Sequence, residues 1–376
     1  MKKLIIIALA LLLAVPAFAG DSYVEGGFEA SGSVMAGMGY QYHNNKVNTE
    51  AATDAEGFVS YPGPMGRYLG RGEPMKVLDS QKNVFGFWLD GVELDIAKSF
   101  GENIRLRADI DFARAASTGL GTPQLVLEQA YATANIPVGN GIEFLLGRFN
   151  APIGFESIDA IGNDTISQSI IIRSQMRPTS LTGAKFYYAF SDAVDFHFWV
   201  ANTIINDTLN RLANMPALGA RLAYNWGEEG TESTVGLSPF FGPSDPSSNR
   251  HYSMGVDLDL NWWITEAFAL GLEGLFRRDN AMTPANDNMN TFGGLLNLHY
   301  AFSDVWDGTL KYAFAWQGKP TNGSIDYIGG GLKQQVHEIS LAGGYAIADG
   351  AELKLEGRFD IVKPNISKTT QYVFGA

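Results

Sequence analysis

Apolar and charged residues alternate with a period of two along several segments of this chain. From Ile104 to Phe112, every even-numbered residue is apolar and every odd-numbered residue is charged. The same alternation returns over residues 252–262 and 351–361. A period of two is typical of a β-strand with one apolar and one polar face. Because several charged strand faces must lie against water, we expect an all-β protein whose sheet is wetted on one side.

Short polar turns and longer connections alternate between the predicted strands. Short turns at one end and long loops at the other are typical of a bacterial outer-membrane β-barrel, with the turns in the periplasm and the loops outside the cell. Counted in this way, the chain forms about sixteen antiparallel strands, at residues 28–43, 84–98, 103–114, 125–136, 141–149, 181–190, 194–203, 217–226, 231–242, 251–263, 267–278, 290–302, 308–318, 333–347, 351–362 and 367–375.

The strand lengths and their end residues fit a lipid bilayer. A strand of about eleven residues tilted by about 40° spans roughly 28 Å, close to the apolar band of such barrels. Aromatic pairs at the ends of apolar faces, such as Tyr224 with Trp226 and Tyr300 with Phe302, are typical of the girdles at lipid interfaces. A soluble β-sandwich is the alternative, but it has no reason to alternate its loop lengths. We therefore predict a transmembrane, up-and-down β-barrel in contact with outer-membrane lipids, with a lumen too wide for side chains to fill.

Composition and charge restrict further which class of protein this can be. The 376 residues include 43 Gly, 23 Phe, 15 Tyr and 7 Trp, which suits a turn-rich and aromatic-rich barrel. The chain has no Cys, so its stability does not come from disulfides and thiolate chemistry is excluded. The formal net charge of −13 at pH 7 makes a nucleic-acid partner unfavourable.

The first residues have the pattern of a secretory signal. Lys2 and Lys3 precede an apolar run over residues 4–15, and Ala17-Phe18-Ala19 has the small-x-small pattern of a cleavage site. We predict a signal peptide at residues 1–19 and the outer-membrane barrel at residues 20–376.

Two segments depart from simple alternation, and one loop is unusually apolar. The phase of strand 84–98 changes at Asp90-Gly91, which predicts a β-bulge, while the facing of strand 125–136 is ambiguous. The third long connection, Asn150 to Ser180, contains seven isoleucines and is too apolar to lie exposed. We expect this loop to pack inside the barrel.

The start of that loop carries a family resemblance. The segment Gly147-Arg148-Phe149-Asn150-Ala151-Pro152-Ile153-Gly154-Phe155-Glu156, followed by Leu181-Thr182-Gly183, resembles the OmpL-like β-barrel porins and, more loosely, the phosphate-selective porins. The resemblance implies a channel for small hydrophilic solutes and a third loop that folds inward and narrows the pore. It also implies that a homotrimer is to be considered, since classical sixteen-stranded porins are trimers.

Charged residues that the alternation turns inward are the candidates for the pore. Inward acids outnumber inward bases, which favours cations because fixed charge in a pore selects the sign of the ion. The alternative is an anion or phosphate channel, built on a basic cluster of Arg105, Arg107, Arg148, Arg173 and Arg177. Acids lie close to this cluster in sequence, so we prefer a transverse field across a constriction. The candidate constriction residues are Arg105, Arg107, Asp109, Asp111, Arg148, Glu156, Asp159, Arg173, Arg177 and Lys185.

Other functional classes receive less support from the sequence. The same-face pair Asp109 and Asp111 could bind a divalent cation, but such pairs are more often wetted wall residues, so we predict neither a metal site nor a cofactor. The five histidines show no Ser-His-acid spacing and no G-x-S-x-G motif occurs, so we do not expect an enzyme. A barrel that sheathes a partner, such as an electron-transfer cytochrome, stays open as an alternative; the absence of C-x-x-C-H means that this chain would hold no haem.

Overall fold

The computed structural model describes residues 17–19, 23–43, 83–114, 123–204, 215–243, 251–280, 288–320, 327–328, 333–364 and 371–375. Fifteen strands in these ranges are eight or more residues long, and each runs antiparallel to the next. They are β1 (Phe28–His43), β2 (Asn83–Phe100), β3 (Ile104–Arg114), β4 (Pro123–Ile136), β5 (Ile142–Asn150), β6 (Ser180–Ser191), β7 (Val194–Ala201), β8 (Ala217–Trp226), β9 (Ser233–Pro243), β10 (Tyr252–Thr265), β11 (Phe268–Asp279), β12 (Met289–Ser303), β13 (Trp306–Gln317), β14 (Gln334–Ala348) and β15 (Ala351–Pro364).

Short elements complete the described structure. A five-residue strand, β16 (Gln371–Gly375), follows β15, and three-residue strands lie at Ala17–Ala19 and Tyr23–Glu25. A 3-10 turn at Ala160–Gly162 and a single helical turn, α1 (Ile170–Arg173), lie between β5 and β6. None of the helices in the described ranges is both long enough and apolar enough to cross a membrane.

The strands pair in chain order, and short strands join the two ends of the series. β16 pairs with β15 on one side, through Val362 and Gln371, and with β1 on the other, through His43 and Val373. At the opposite end of the barrel, Ala17–Ala19 pairs with both β15 and β1. Within the described residues, β1 and β15 are joined through these short strands and not by direct pairing along their length. The expected all-β, up-and-down architecture is confirmed, with a short sixteenth strand.

Two β-bulges change which side chains face inward. Met35 pairs with Gly91 and Ala36 with Leu89, so Asp90 is the extra residue, as the sequence predicts. A second bulge lies in β4, where Asp109 pairs with Gln129 and Ile110 with Leu127. Glu128 is the extra residue there and its side chain is buried. This bulge explains why the alternation of β4 is ambiguous in sequence.

The outer surface of the sheet is apolar and the inner surface is polar. On β10, Leu258 is 54% exposed, whereas its neighbours Asp257 and Asp259 are buried. Leu341 on β14 is 65% exposed, while Ser340 is buried. Large apolar side chains exposed in this way around a sheet need a lipid environment. The alternation therefore places lipid outside and polar groups inside, as the sequence predicts.

The connection between β5 and β6, residues 151–179, lies inside the barrel and is called the inner loop below. Ile170, Ile171 and Met176 of this loop are fully buried, and α1 packs against β12 and β13. The same apolar cluster includes wall residues that point inward, among them Trp199, Leu275, Leu295, Ala313, Ala315 and Val336. The expectation that this isoleucine-rich loop packs inside the barrel is confirmed.

Candidate functional site

The first turn of the inner loop is held against β11 by a buried guanidinium. Arg177 donates to the backbone carbonyls of Ile153 and Glu156, and its Nη1 lies 3.6 Å from Oε1 of Glu273. The Glu273 carboxylate also accepts from the N–H of Phe155 at 2.8 Å. Gly154, with φ +83°, has no Cβ, and a Cβ there would overlap the Arg177 guanidinium. The glycine in the sequence segment therefore makes room for the arginine.

A second buried ion pair joins the inner loop to β13. Lys311 Nζ lies 2.7 Å from Oε1 of Glu156, and the two side chains are 4% and 3% exposed. Glu156 also accepts from the N–H of Ser169. Burial on its own would raise the pKa of the Glu156 carboxyl, but Lys311 and Ser169 stabilise the charged form and hold that pKa below its ordinary value.

A third contact fixes α1 to β14. The Glu338 carboxylate accepts from the N–H of Ile170 at 2.8 Å and from the guanidiniums of Arg173 and Arg358. Arg358 also lies 2.7 Å from Asp360. All four charged side chains are almost fully buried, and buried charges are tolerated only when they are paired and hydrogen-bonded.

Further hydrogen bonds extend the attachment around one side of the barrel. The backbone N–H of Ser167 donates to Glu356 at 2.7 Å, and Asn297 Nδ2 donates to Asp164 at 2.7 Å. Lys354 donates to the carbonyl of Asn163 at 2.7 Å. The described contacts therefore attach the inner loop to the wall formed by β11–β15.

The wall formed by β2–β4 is strongly acidic. Glu93 belongs to two groups whose carboxylate oxygens lie within 4.8 Å of one another, one with Asp111 and Glu128 and the other with Asp95 and Asp109. Such oxygens could bind a hard cation such as Ca²⁺ or Mg²⁺. These five residues are called the acidic wall below.

One cation and one loop residue face the acidic wall. Arg107 Nε lies 2.7 Å from Asp109, and its Nη2 lies 3.6 Å from Asp95. Asp159, in the inner loop, interacts electrostatically with Glu93. The inner loop thus brings a further carboxylate toward the acidic wall, so negative charge faces negative charge across the space between them.

The structure divides the predicted constriction residues into separate groups. Arg107, Asp109, Asp111 and Asp159 lie at or opposite the acidic wall, as described above. Arg105 lies 2.6 Å from Glu29 on β1, and Lys185 lies 5.8 Å from the ring of Phe149.

Three other predicted residues, Glu156, Arg173 and Arg177, are buried in contacts that attach the inner loop. Their side chains are 3%, 3% and 1% exposed, so they differ from the pore-lining residues that the sequence suggests. The physical reason is that each ionic side chain finds an opposite charge on the wall, and the pair is then covered by the loop.

Arg148 lies beside the acidic wall but on the opposite face of β5 from the inward residues. On β5, Leu145 and Phe149 are the buried, inward residues, and Arg148 lies on the same face as the exposed Leu146. Its Nε donates to the backbone carbonyl of Glu128, the bulge residue of β4, at 2.9 Å. The five arginines of the predicted basic cluster therefore do not meet at one point.

Comparison with a protein-family model decides the family. Residues 80–376 match the model described as "Putative beta-barrel porin-2, OmpL-like". The chain belongs to this porin family. The resemblance that the segment around Gly154 indicates is therefore confirmed, and membership places the porin in the outer membrane as a channel protein. No curated protein sequence matches the chain.

Solved structures of outer-membrane channels share the fold of this porin. The outer membrane channel DcaP of Acinetobacter baumannii is 12% identical with a TM-score of 0.59, over 94% of this chain and 97% of that chain. The anion-selective porin from Comamonas acidovorans is 12% identical with a TM-score of 0.58, over 93% and 98%. Pseudomonas putida OprB is 11% identical with a TM-score of 0.52, over 93% of each chain. At these identities the likeness shows the fold alone.

Sequence reasoning misses two acids that organise the interior of the porin. Glu338 anchors α1, and its inward position follows from the exposed Ile339 and Leu341 that flank it in alternation. Glu128 is hidden by the bulge in β4, which only the pairing of β3 with β4 reveals. The first could have been found from the period of two, but the second could not.

Proposed function

We propose that this porin lets small hydrophilic solutes and ions diffuse passively, without catalysis, through an opening between the inner loop and the acidic wall. The observation that carries the proposal is the one-sided attachment of the inner loop. Its buried ion pairs run to β11, β13 and β14, which leaves the water-filled space on the side of β2–β4.

A weak preference for cations follows from the charges that face this space. Glu93, Asp95 and Asp159 are partly exposed and supply three carboxylates, whereas Arg107 and the more distant Arg105 supply two guanidiniums. The other acids of the acidic wall, Asp109, Asp111 and Glu128, are buried. Fixed charge along a pore favours ions of the opposite sign. Arg107 lies on the same wall as these acids, so the transverse field expected from the sequence stays a prediction.

Two alternatives are disfavoured by the same observations. An anion or phosphate channel needs a cluster of unpaired basic groups, but Arg173 and Arg177 are each paired with a wall acid and buried. A barrel that sheathes a partner protein needs a free lumen, whereas the inner loop packs within it. Both points support diffusion as the function.

Introduced cysteines test where the opening lies, because the natural chain has none. Asp95→Cys and Asp159→Cys place a thiol on either side of the proposed opening. Ser340→Cys is the matched control, since Ser340 points inward from β14 but is 1% exposed beside the attached loop. The probe is a positively charged methanethiosulfonate reagent added during recording of the current through a planar bilayer.

The expected result is a fall in current for Asp95→Cys and Asp159→Cys and no change for Ser340→Cys. Conductance before the reagent is added shows that each variant has folded and inserted. Modification that reduces the current only through Ser340→Cys would place the opening on the other side of the loop and contradict the proposal.

We infer export by a signal peptide that is cleaved after Ala19. The charged start, apolar run and small-x-small site support this. Residues 1–16 lie outside the described residues, and Ala17–Ala19 pairs with β1 and β15 in the structure. Sequencing the N-terminus of protein purified from outer membranes should show Gly20 as the first residue; an N-terminus at Met1 would contradict cleavage.

We also infer a homotrimer, on the resemblance to classical sixteen-stranded porins. Light scattering of the detergent-solubilised protein should give the mass of three chains. A mass of one chain would contradict the trimer without affecting the proposed channel.

A further inference from the structure

A cavity of about 180 Å³ lies between the inner loop and the wall formed by β10–β12. Two rows of paired residues form its wall. Asn261 pairs with Gly271 and then Asn297, and Trp263 pairs with Ala269 and then His299. The middle strand, β11, contributes the small residues Ala269 and Gly271. The polar and aromatic side chains of β10 and β12 therefore lie on either side of a shallow trough.

Aromatic rings line two sides of this trough. Trp263 meets His299 edge to face, with 6.0 Å between ring centroids and an interplanar angle of 75°. From the inner loop, Phe155 lies against the backbone of Gly271, where a Cβ would overlap its ring. The cavity therefore offers apolar ring surfaces beside the amide groups of Asn261 and Asn297.

The charges around the cavity exclude an anionic ligand. Among the described residues that line it, none is Lys or Arg. Of the two acids, Glu156 is paired with Lys311, and Asp164 accepts a hydrogen bond from Asn297 and lies 3.7 Å from Nδ1 of His299. The remaining polar side chains are amides, an imidazole and the Thr165 hydroxyl, which both donate and accept hydrogen bonds.

A second cavity, of about 590 Å³, lies at the end of the barrel that carries the short turns. It is lined by Asn261 together with residues of the turns after β6 and β8. No Lys or Arg is among its described lining residues either. A solute entering from the periplasmic mouth would thus meet Asn261 before the trough.

We propose that this trough is a binding subsite for a neutral, polyhydroxylated ring of about one hexose, and this inference rests on the proposed channel function. A sugar ring has an apolar C–H face, which matches Trp263, and a rim of hydroxyls that both donate and accept, which matches Asn261 and Asn297. The volume is below the roughly 300–1,000 Å³ of sites for drug-sized ligands. It therefore suits one ring and not an oligomer.

Calorimetric binding of D-glucose to the detergent-solubilised protein tests the subsite separately from the channel. A steady ionic current in a planar bilayer without sugar establishes the channel. Glucose should then bind the natural protein, and Trp263→Ala and Asn261→Ala should each weaken that binding at least tenfold. Trp262→Ala is the matched control, because Trp262 is 40% exposed on the lipid face, and it should bind glucose like the natural protein.

Two further probes distinguish the chemistry of the ligand. Glucose 6-phosphate should bind more weakly than glucose, because the trough holds no cation. Cadaverine should show no binding that depends on Trp263. A conducting channel that binds no glucose would overturn the subsite and leave the channel intact, and so would binding of cadaverine alone. Absence of any current would instead contradict the proposed function.

Discussion

Lys311 on β13 and Glu156 in the inner loop form a buried ion pair, with 2.7 Å between Nζ and Oε1. The residues are separated by 155 positions in the chain. The same lysine donates to Thr165 and to the backbone carbonyl of Ser167. Lys311 thus contacts the inner loop at three residues, and its positive charge is the main stabilisation of the buried Glu156 carboxylate.

Lys311→Met should detach the inner loop from β13. The substitution leaves the Glu156 carboxylate buried without its partner, which costs about 3–5 kcal/mol. Single-channel recording should show larger current fluctuations than in the natural protein. Lys319→Met, at an exposed lysine beyond the end of β13, is the control and should leave the current unchanged.

A double variant tests the role of the ion pair more directly. The double variant Glu156→Gln with Lys311→Met has no uncompensated buried charge. Its current fluctuations should therefore be smaller than those of Lys311→Met, though larger than those of the natural protein. Fluctuations as large in the double variant as in Lys311→Met would show that the ion pair does not hold the loop.

The contact between Glu156 and Lys311 should loosen only at low pH. Because the pKa of Glu156 is lowered in the folded protein, its ion pair stabilises the attached loop fully above the ordinary glutamate pKa of about 4.3. That stabilisation is lost as the pH falls through the lowered value. The difference in current fluctuations between the natural protein and Glu156→Gln should therefore stay constant from pH 7 to pH 5 and change only at lower pH.

The control for acid is Glu156→Gln, which cannot titrate at this position. It should lack the part of the acid response that belongs to the Glu156–Lys311 pair. A change in that difference between pH 7 and pH 5 would contradict the assignment to Glu156.

Gly154→Ala should displace the first turn of the inner loop. A Cβ at Gly154 overlaps the guanidinium of Arg177, and the backbone there has φ +83°, which is unfavourable for residues with a side chain. Protease added from outside should then cleave the loop faster than in the natural protein. Gly274→Ala is the control, because no atom lies within 4 Å of a Cβ there; equal cleavage of both variants would contradict the role of Gly154.

Leu258→Arg tests the lipid-facing surface. Leu258 is 54% exposed near the middle of β10, where arginine facing the bilayer midplane costs about 2–4 kcal/mol. Trp262→Arg is the same change on the same face near the strand end, where the cost is about 0–1 kcal/mol. Urea unfolding in lipid vesicles measures both, and equal losses would contradict the membrane position of β10.

Sequence patterns predict the strands well because one face is apolar and the other polar. Residues 217–226 are predicted as a strand and β8 has those bounds, and the start of β1 at Phe28 is also as predicted. The turns are equally visible, since Gly101 and Gly350 have positive φ and lie in short polar connections. Periodicity thus reports the local environment of each strand.

The candidate site is less predictable, for two physical reasons. On β5, Leu145 and Phe149 point inward because they pack in the apolar cluster around the inner loop. Polarity therefore does not identify the inner face of this strand. The sequence pattern assigns Arg148 to the inner face, whereas it lies on the opposite face. The contacts of Glu156 and Arg173 depend on wall residues more than 150 positions away. Their pairing depends on how the strands are arranged in space and not on any local pattern.

Single-channel recording of the natural protein in a planar bilayer under a KCl gradient tests the central claim most directly. The account predicts discrete conducting events and a reversal potential of cation sign, because the partly exposed Glu93, Asp95 and Asp159 face the opening. A reversal potential of anion sign would contradict the cation preference. Inserted protein that shows no conductance would contradict the water-filled channel itself.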